Sequence, residues 1–188
     1  MARPRTFNKE EVLEKILHIM WQHGSSGLSL DELARKLNLS KTSLYSAFGN
    51  KNAVLSQCLD LYERLYEQPM LASFQGDKIS DCMSNFLTFS SQRFDSLTTP
   101  PGCFMFNCAI EGSALSVEFQ TKVEKNNMAF RRALEKRVLN ISGNKTVEQV
   151  NDLVELLLVN LFGLASASRM QFPLSGSHLT LLDKLLEE

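Results

Sequence analysis

Between residues 40 and 51 the chain reads Ser40-Lys41-Thr42-Ser43-Leu44-Tyr45-Ser46-Ala47-Phe48-Gly49-Asn50-Lys51. A cation, several hydroxyls and a phenol on one short segment have the chemistry of a nucleic-acid surface. Lysine neutralises phosphate, hydroxyls reach phosphates or base edges, and a helix N-terminus favours an anionic backbone. At helical spacing Lys41, Thr42, Ser43, Tyr45 and Ser46 fall outside, and Leu44, Ala47 and Phe48 fall inside. The same spacing also fits an ordinary helical hairpin with a polar outer face, in which Tyr45 is a packing aromatic.

Other chemistries are poorly served. There is no Ser/His/Asp set, no Glu-x-x-His pair and no phosphate-binding loop. Glu14 and His18 stand four residues apart but lack a further ligand and read as surface. Cys58, Cys82, Cys103 and Cys108 form no C-x-x-C pair, and His18, His23 and His178 are scattered. No metal, cofactor or catalytic residue is expected, and the chain is not expected to be an enzyme.

The elements that position these residues can be placed from their caps. Asn8 with Glu11 forms a capping arrangement, with Phe7 and Val12 as its staple, before a stripe of Val12, Leu13, Ile16, Leu17 and Met20 that runs to Gly24. Ser29 with Glu32 caps a second helix, whose Leu30, Leu33, Ala34 and Leu37 share one face. Asn38 and Leu39 make a tight connection. Ser40 caps the third helix, Gly49 ends it, and Asn50 caps a fourth from Lys51. Two short helices so joined describe a helix-turn-helix.

The chain has 188 residues, 44% hydrophobic and 22% charged, a soluble globular balance. Its net charge of −1 hides an asymmetry. Residues 1–51 carry eight Lys/Arg against five acids, and the remainder twelve against sixteen. A basic head on an acidic body hints at nucleic acid at one end. No run approaches the ~18 consecutive apolar residues of a membrane span, and the N-terminus has no apolar signal core. A cytoplasmic, nucleoid-associated protein without a membrane partner is expected.

The stretch from Arg3-Pro4-Arg5 through Leu28-Ser29-Leu30-Asp31-Glu32-Leu33-Ala34 to Leu39-Ser40-Lys41-Thr42-Ser43-Leu44-Tyr45-Ser46-Ala47-Phe48-Gly49-Asn50-Lys51 resembles the DNA-binding head of the TetR (tetracycline repressor) family. Leu44-Tyr45, Phe48 and Lys51 at their mutual spacing are the most telling pieces. Asn52 stands where the family often has Glu, and Ser43 where Gly is frequent. The resemblance implies that Tyr45 and Lys51 contact phosphates, and that Lys41, Thr42 and Ser43, with Ser40 and Ser46 beside them, approach bases or nearby phosphates. It implies that Ser29 touches the backbone from the first helix of the motif. Arg3 and Arg5 resemble a basic arm for a neighbouring minor groove, or else a soluble tail.

Beyond the head, one helix is expected from Lys51 to Gln68, with a stripe of Val54, Leu55, Cys58, Leu61, Tyr62 and Leu65, ended or kinked by Pro69. Further helices are expected over 77–97, 103–112, 115–139, 147–172 and 177–186, with no strand. The fold class is therefore all-α. The expected division is a head at 1–50 and a ligand-binding, dimerising body at 51–188.

Residues 153–167 are apolar nearly all round, so both sides must be covered. Leu157, Leu161 and Leu164, with Leu182 and Leu186 on the last helix, are expected to meet a second copy; a core helix of a monomer is the alternative. The body is rich in aromatic residues, and Phe86, Phe89, Phe104 and Phe106, with Asn107 and Glu111 as polar contacts, are candidates for lining an effector cavity. Most of these phenylalanines also read as plain core. Pro101-Gly102-Cys103-Phe104-Met105-Phe106-Asn107 and Glu111 resemble a body motif of one branch of the family, in which the Cys opens a short helix. Cys103 is thus either a thiol sensor at a helix N-terminus or a buried small hydrophobe.

The reading is a homodimeric, ligand-responsive regulator, a repressor that leaves a palindromic double-stranded DNA operator when a small-molecule effector or thiol-reactive compound binds. The alternative is an all-α enzyme or small-molecule-binding protein with a degenerate DNA-binding head.

Overall fold

A computed structural model describes residues 7–174, except 142 and 144. The basic arm with Arg3 and Arg5, and the last expected helix with Leu182 and Leu186, lie outside the described residues. Among the described residues every regular element is helical. They run α1 (Lys9–His23), α2 (Leu30–Lys36), α3 (Lys41–Phe48), α4 (Lys51–Tyr62), a π-helical turn (Glu63–Glu67), α5 (Gln68–Ala72), α6 (Ile79–Phe94), α7 (Phe104–Glu111), a 3-10 turn (Gly112–Ala114), α8 (Val117–Ile141) and α9 (Val147–Arg169).

The caps explain the boundaries. Asn8 accepts from the Glu10 N–H, Ser29 from the Glu32 N–H, Ser40 from the Ser43 N–H and Asn50 from the Ala53 N–H. Each satisfies a backbone donor that the first turn leaves open, worth about 1 kcal/mol. Gly49 closes α3 at φ +84, a conformation that side chains with a Cβ rarely adopt.

By contact the chain falls into two compact units. The first comprises residues 1–64 and 104–124, and the second residues 65–103 and those from 125 onward. Contact therefore groups α4 and residues 104–124 with α1–α3, whereas the expected division by role falls at residue 50.

In the first unit, Ile16, Leu17, Met20, Leu33, Leu44, Val54, Leu55 and Leu59 form the buried centre. Each such side chain contributes about 1.5–3 kcal/mol by leaving water. Trp21, Tyr62 and Phe104 complete it. The Trp21 and Tyr62 rings meet edge-on at 5.2 Å, and Phe104 tilts against them at 6.4 and 5.7 Å.

In the second unit α6 packs on α9. Met83, Phe86, Leu87 and Phe94 of α6 are buried, as are Val154, Leu157, Leu161 and Leu164 of α9. This corrects the expected dimer positions. Leu157, Leu161 and Leu164 are 0, 5 and 5% exposed within their own chain. All-round apolarity could not tell which stripe the chain itself would use. The outward positions are Val159, 68% exposed, and Gly163, with Leu156, Leu158 and Phe162 half-buried. α9 also reaches the length and mean hydropathy (1.5 over 18 residues) of a membrane-crossing helix. Its packing on α6 through buried Val154, Leu157, Leu161 and Leu164 reads as that of a core helix.

Gly102 shows why the Pro100-Pro101-Gly102 break has its form. It sits at φ +78, and a Cβ there would stand 2.9 Å from the carbonyl oxygen of Ala165. Its N–H donates to the Ser168 hydroxyl, which in turn donates to the Phe94 carbonyl.

Pro69 neither ends nor breaks its helix. The chain instead widens into the π-helical turn over Glu63–Glu67 and continues as α5, with the proline in its first turn, where its missing N–H costs little.

Candidate nucleic-acid interface

α3 separates its faces sharply. Leu44, Ala47 and Phe48 are 0, 6 and 3% exposed, while Lys41, Thr42, Ser43, Tyr45 and Ser46 are exposed. Tyr45 is 49% exposed, so its ring is not a core aromatic. Leu44 and Phe48 fill the inner face, and Phe48 also stacks on Phe7 at 6.4 Å with Lys9 over its ring.

The connection before α3 is tight because Asn38 takes a left-handed φ of +53. A short polar side chain tolerates that conformation. The Leu39 N–H then returns to the Ala34 carbonyl at 2.9 Å. α2 and α3 are thereby set as the two helices of a helix-turn-helix.

Hydroxyls and charges cluster at the two N-termini. Ser29 is exposed and shares a reciprocal capping box with Glu32: its N–H and hydroxyl both donate to the Glu32 carboxylate, at 2.8 and 2.7 Å. Those hydrogen bonds hold the Glu32 carboxyl below its ordinary value. Ser40 donates its hydroxyl to Ser43 at 2.8 Å. Lys41 is paired with Asp31 of α2. Both partners are largely exposed, so the pair is worth little and can be exchanged for a phosphate.

Lys51 opens α4 and is half-buried. Its ammonium donates to the Ser26 carbonyl at 2.8 Å. Burial lowers its proton affinity, while Glu111 and Glu32 pull the other way. The Lys51 side chain thus stands beside the loop that leads into α2.

Glu111, expected as an effector contact, lies in the same unit. Its carboxylate accepts the backbone N–H groups of Ser25 and Ser26 at 2.9 and 2.5 Å. Sequence reasoning missed this contact, because its partners are main-chain groups 85 and 86 residues away. Two other anchors were equally silent. Lys122 reaches the Ser56 carbonyl at 3.0 Å and pairs with Asp60 at 2.5 Å, and Ser116 donates to Asn52 at 3.0 Å.

The other effector candidates are scattered. Phe104 is buried among Trp21 and Tyr62, and Phe86 is buried against Phe74 at 6.3 Å. Phe106 and Asn107 are half-buried, and the Asn107 amide nitrogen is buried without a hydrogen-bond partner among the described residues. Phe89 lines an open cleft of 380 Å³ with Leu65, Pro69, Gln92, Arg93 and Ser96. A second, of 520 Å³, lies between Phe94, Pro101 and Phe172 and holds Thr99, whose hydroxyl has no partner among the described residues. Cys103 directly precedes α7 and is 6% exposed. Among the described residues no cluster of His, Cys, Asp or Glu could hold a metal ion.

Residues 12–58 match the family model for bacterial regulatory proteins of the tetR family. By its head, the chain is similar to the tetR family. The HTH-type transcriptional repressor ComR of Escherichia coli (strain K12) is 28% identical over 140 residues, which are 73% of this chain. The chain spans 64% of the length of that relative. Among solved structures, a cysteine mutant of the TetR family transcriptional regulator CifR, complexed with 26-base-pair double-strand operator DNA, superposes with a TM-score of 0.77. It is 22% identical and covers 98% of both chains. The reduced form of E. coli NemR gives 0.74 at 19% identity over 95% of each chain. These two likenesses show that the all-α fold is shared over nearly the whole length of the chain.

Proposed function

We propose that the protein is a DNA-binding transcriptional regulator, a repressor acting as a homodimer on a palindromic operator in the cytoplasm. The supporting observation is the two-sided α3, which turns Lys41, Thr42, Ser43, Tyr45 and Ser46 outward from a fully packed inner face. A helix with such a surface, set by a helix-turn-helix, is built for a major groove, and a two-fold dimer matches two half-sites about one helical turn apart. Lys51 and Ser29 supply phosphate contacts beside it, with Arg3 and Arg5 as a further arm. ComR and CifR, by their names a repressor and an operator-bound regulator, support the same assignment. By role, residues 1–50 read the operator and 51–188 bind effector and partner copy.

Release from DNA follows when a small molecule, or a compound that modifies Cys103, favours a state with wrongly spaced heads. The two open clefts, and the Asn107 and Thr99 groups that lack a partner among the described residues, support a small-molecule effector. A full switch needs a difference of about 5.5 kcal/mol in effector affinity between the two states. The test is selection from a random duplex pool by the purified protein, followed by a salt-titrated mobility shift. Enrichment of a palindrome bound with steep salt dependence is expected; recovery of no common sequence refutes the assignment.

A further inference from the structure

Glu111 is the last residue of α7, and its carboxylate closes on two consecutive backbone amides, those of Ser25 and Ser26. Gly24, at φ +89, opens that loop, and a Cβ built there would stand 3.7 Å from Glu111 Oε1. Ser25 is fully buried, and its hydroxyl lies 3.5 Å from Cys108 Sγ, three residues earlier on α7. Two successive N–H groups, each meeting one oxygen of the same carboxylate, make a nest for an anion. The next carbonyl of the same loop, that of Ser26, accepts from Lys51. One short loop is therefore held from its donor side by a carboxylate and from its acceptor side by an ammonium. Three residues after Ser26 the chain reaches Ser29 and starts α2.

We infer that Glu111 is a positioning residue for the DNA-binding face: a built-in anion that fills the Ser25–Ser26 nest and so sets the start of α2 and the Lys51 ammonium. The inference rests on the reading of residues 29–51 as DNA-binding. A charge-assisted hydrogen bond to a backbone N–H is about twice as strong as a neutral one. Emptying the nest leaves two N–H groups, one of them on a buried residue, without their acceptor. The loop then shifts to find water, and both Ser29 and Lys51 lose their register.

The test uses the full chain and a duplex that the wild type selects from a random pool. Glu111→Ala should lose slow amide exchange at Ser25 and Ser26, and should bind the duplex at least tenfold more weakly. Glu111→Gln keeps one acceptor oxygen and should fall between. Formate, a free carboxylate, should refill the nest in Glu111→Ala and restore both protection and affinity, relative to chloride at equal ionic strength. It should do nothing for the wild type. The effects of Glu111→Ala and Lys51→Ala should not add. Wild-type affinity in Glu111→Ala overturns the inference, as does weakened binding in Glu111→Ala that formate fails to improve. If the wild type itself selects no duplex, the DNA-binding reading has failed, and the role given to Glu111 falls with it.

Discussion

The Lys51 ammonium and the Ser26 carbonyl oxygen stand 2.8 Å apart, joining the first turn of α4 to the loop between α1 and α2. A lysine proposed to meet phosphate is thus already anchored within its own chain. Tethering removes much of the side-chain entropy that binding would otherwise cost. Lys51→Ala should weaken binding to every duplex, and the slope of log affinity against log salt should fall by about 0.9, one phosphate contact. Tyr45→Ala should weaken binding similarly across sequences. Lys41→Ala should in addition change which sequences are selected. Anisotropy titrations at several salt concentrations would show it; an unchanged slope for Lys51→Ala excludes the contact.

The second expectation concerns the α2 cap. Ser29→Ala removes the acceptor for the Glu32 N–H and should cost about 1 kcal/mol in urea unfolding. The Glu32 carboxyl is held low by the N–H and hydroxyl of Ser29. A depressed carboxyl stabilises the fold above its unfolded value, and that contribution disappears as pH falls through the folded value. Glu32→Ala should therefore destabilise the protein at about pH 7 and make little difference at about pH 3, below the ordinary glutamate value of ~4.3. An equal loss at both pH values would mean that the carboxylate charge plays no part.

Two substitutions on α9 separate core from partner surface. Leu157→Arg places a charge at a fully buried site and should cost several kcal/mol, unfolding the second unit. Val159→Arg, at an exposed position, should leave the melting of dilute protein unchanged and weaken self-association. Sedimentation across micromolar concentrations decides the matter. A wild type that stays monomeric there removes the homodimer.

The four thiols should be slow toward alkylating agents in the folded state. Cys58 and Cys82 are fully buried, and burial raises both thiols above their ordinary values. Cys108 is 2% exposed and Cys103 6%. Cys103 should thus react first, identified by mass, and in urea all four should react alike. Rapid modification of Cys58 or Cys82 would contradict the packing. A thiol-responsive regulator further requires that alkylated protein release its duplex and that Cys103→Ser bind but not respond.

Much of the head was legible in sequence, because its signals are local. Asn8, Ser29, Ser40 and Asn50 cap helices through contacts two or three residues away, and Leu44 against Tyr45 is a contrast within one turn. The body yielded its helices but not the roles of their residues. Glu111 looks like any polar residue at a helix end until its distant main-chain partners are known. Phe104 and Phe86 carry no mark that distinguishes a cavity wall from packing. On α9 the choice between Leu157 and Val159 as the outward residue depends on where α6 lies. Buried Glu67, held by the Asn126 amide at 2.9 and 3.1 Å, was equally hidden.

The π-helical turn before Pro69 shifts the reading frame of its helix. A π turn accommodates one more residue than an α turn, which re-phases everything after it by about 100°. An uninterrupted α-helix continuing from Leu55, Cys58 and Tyr62 would next have turned Leu65 and Pro69 inward. Instead Leu65 and Pro69 are half-buried, and Tyr66, Glu67, Met70 and Leu71 go inside. The single residue gained over Glu63–Glu67 is thus what carries a carboxylate, rather than a leucine, into the interior, and it does so where one compact unit gives way to the next between Arg64 and Leu65. Removing one residue of that turn would let it close as an ordinary α turn with Met70 and Leu71 still facing inward, so the spacing of the chain here carries information that the identity of its residues does not.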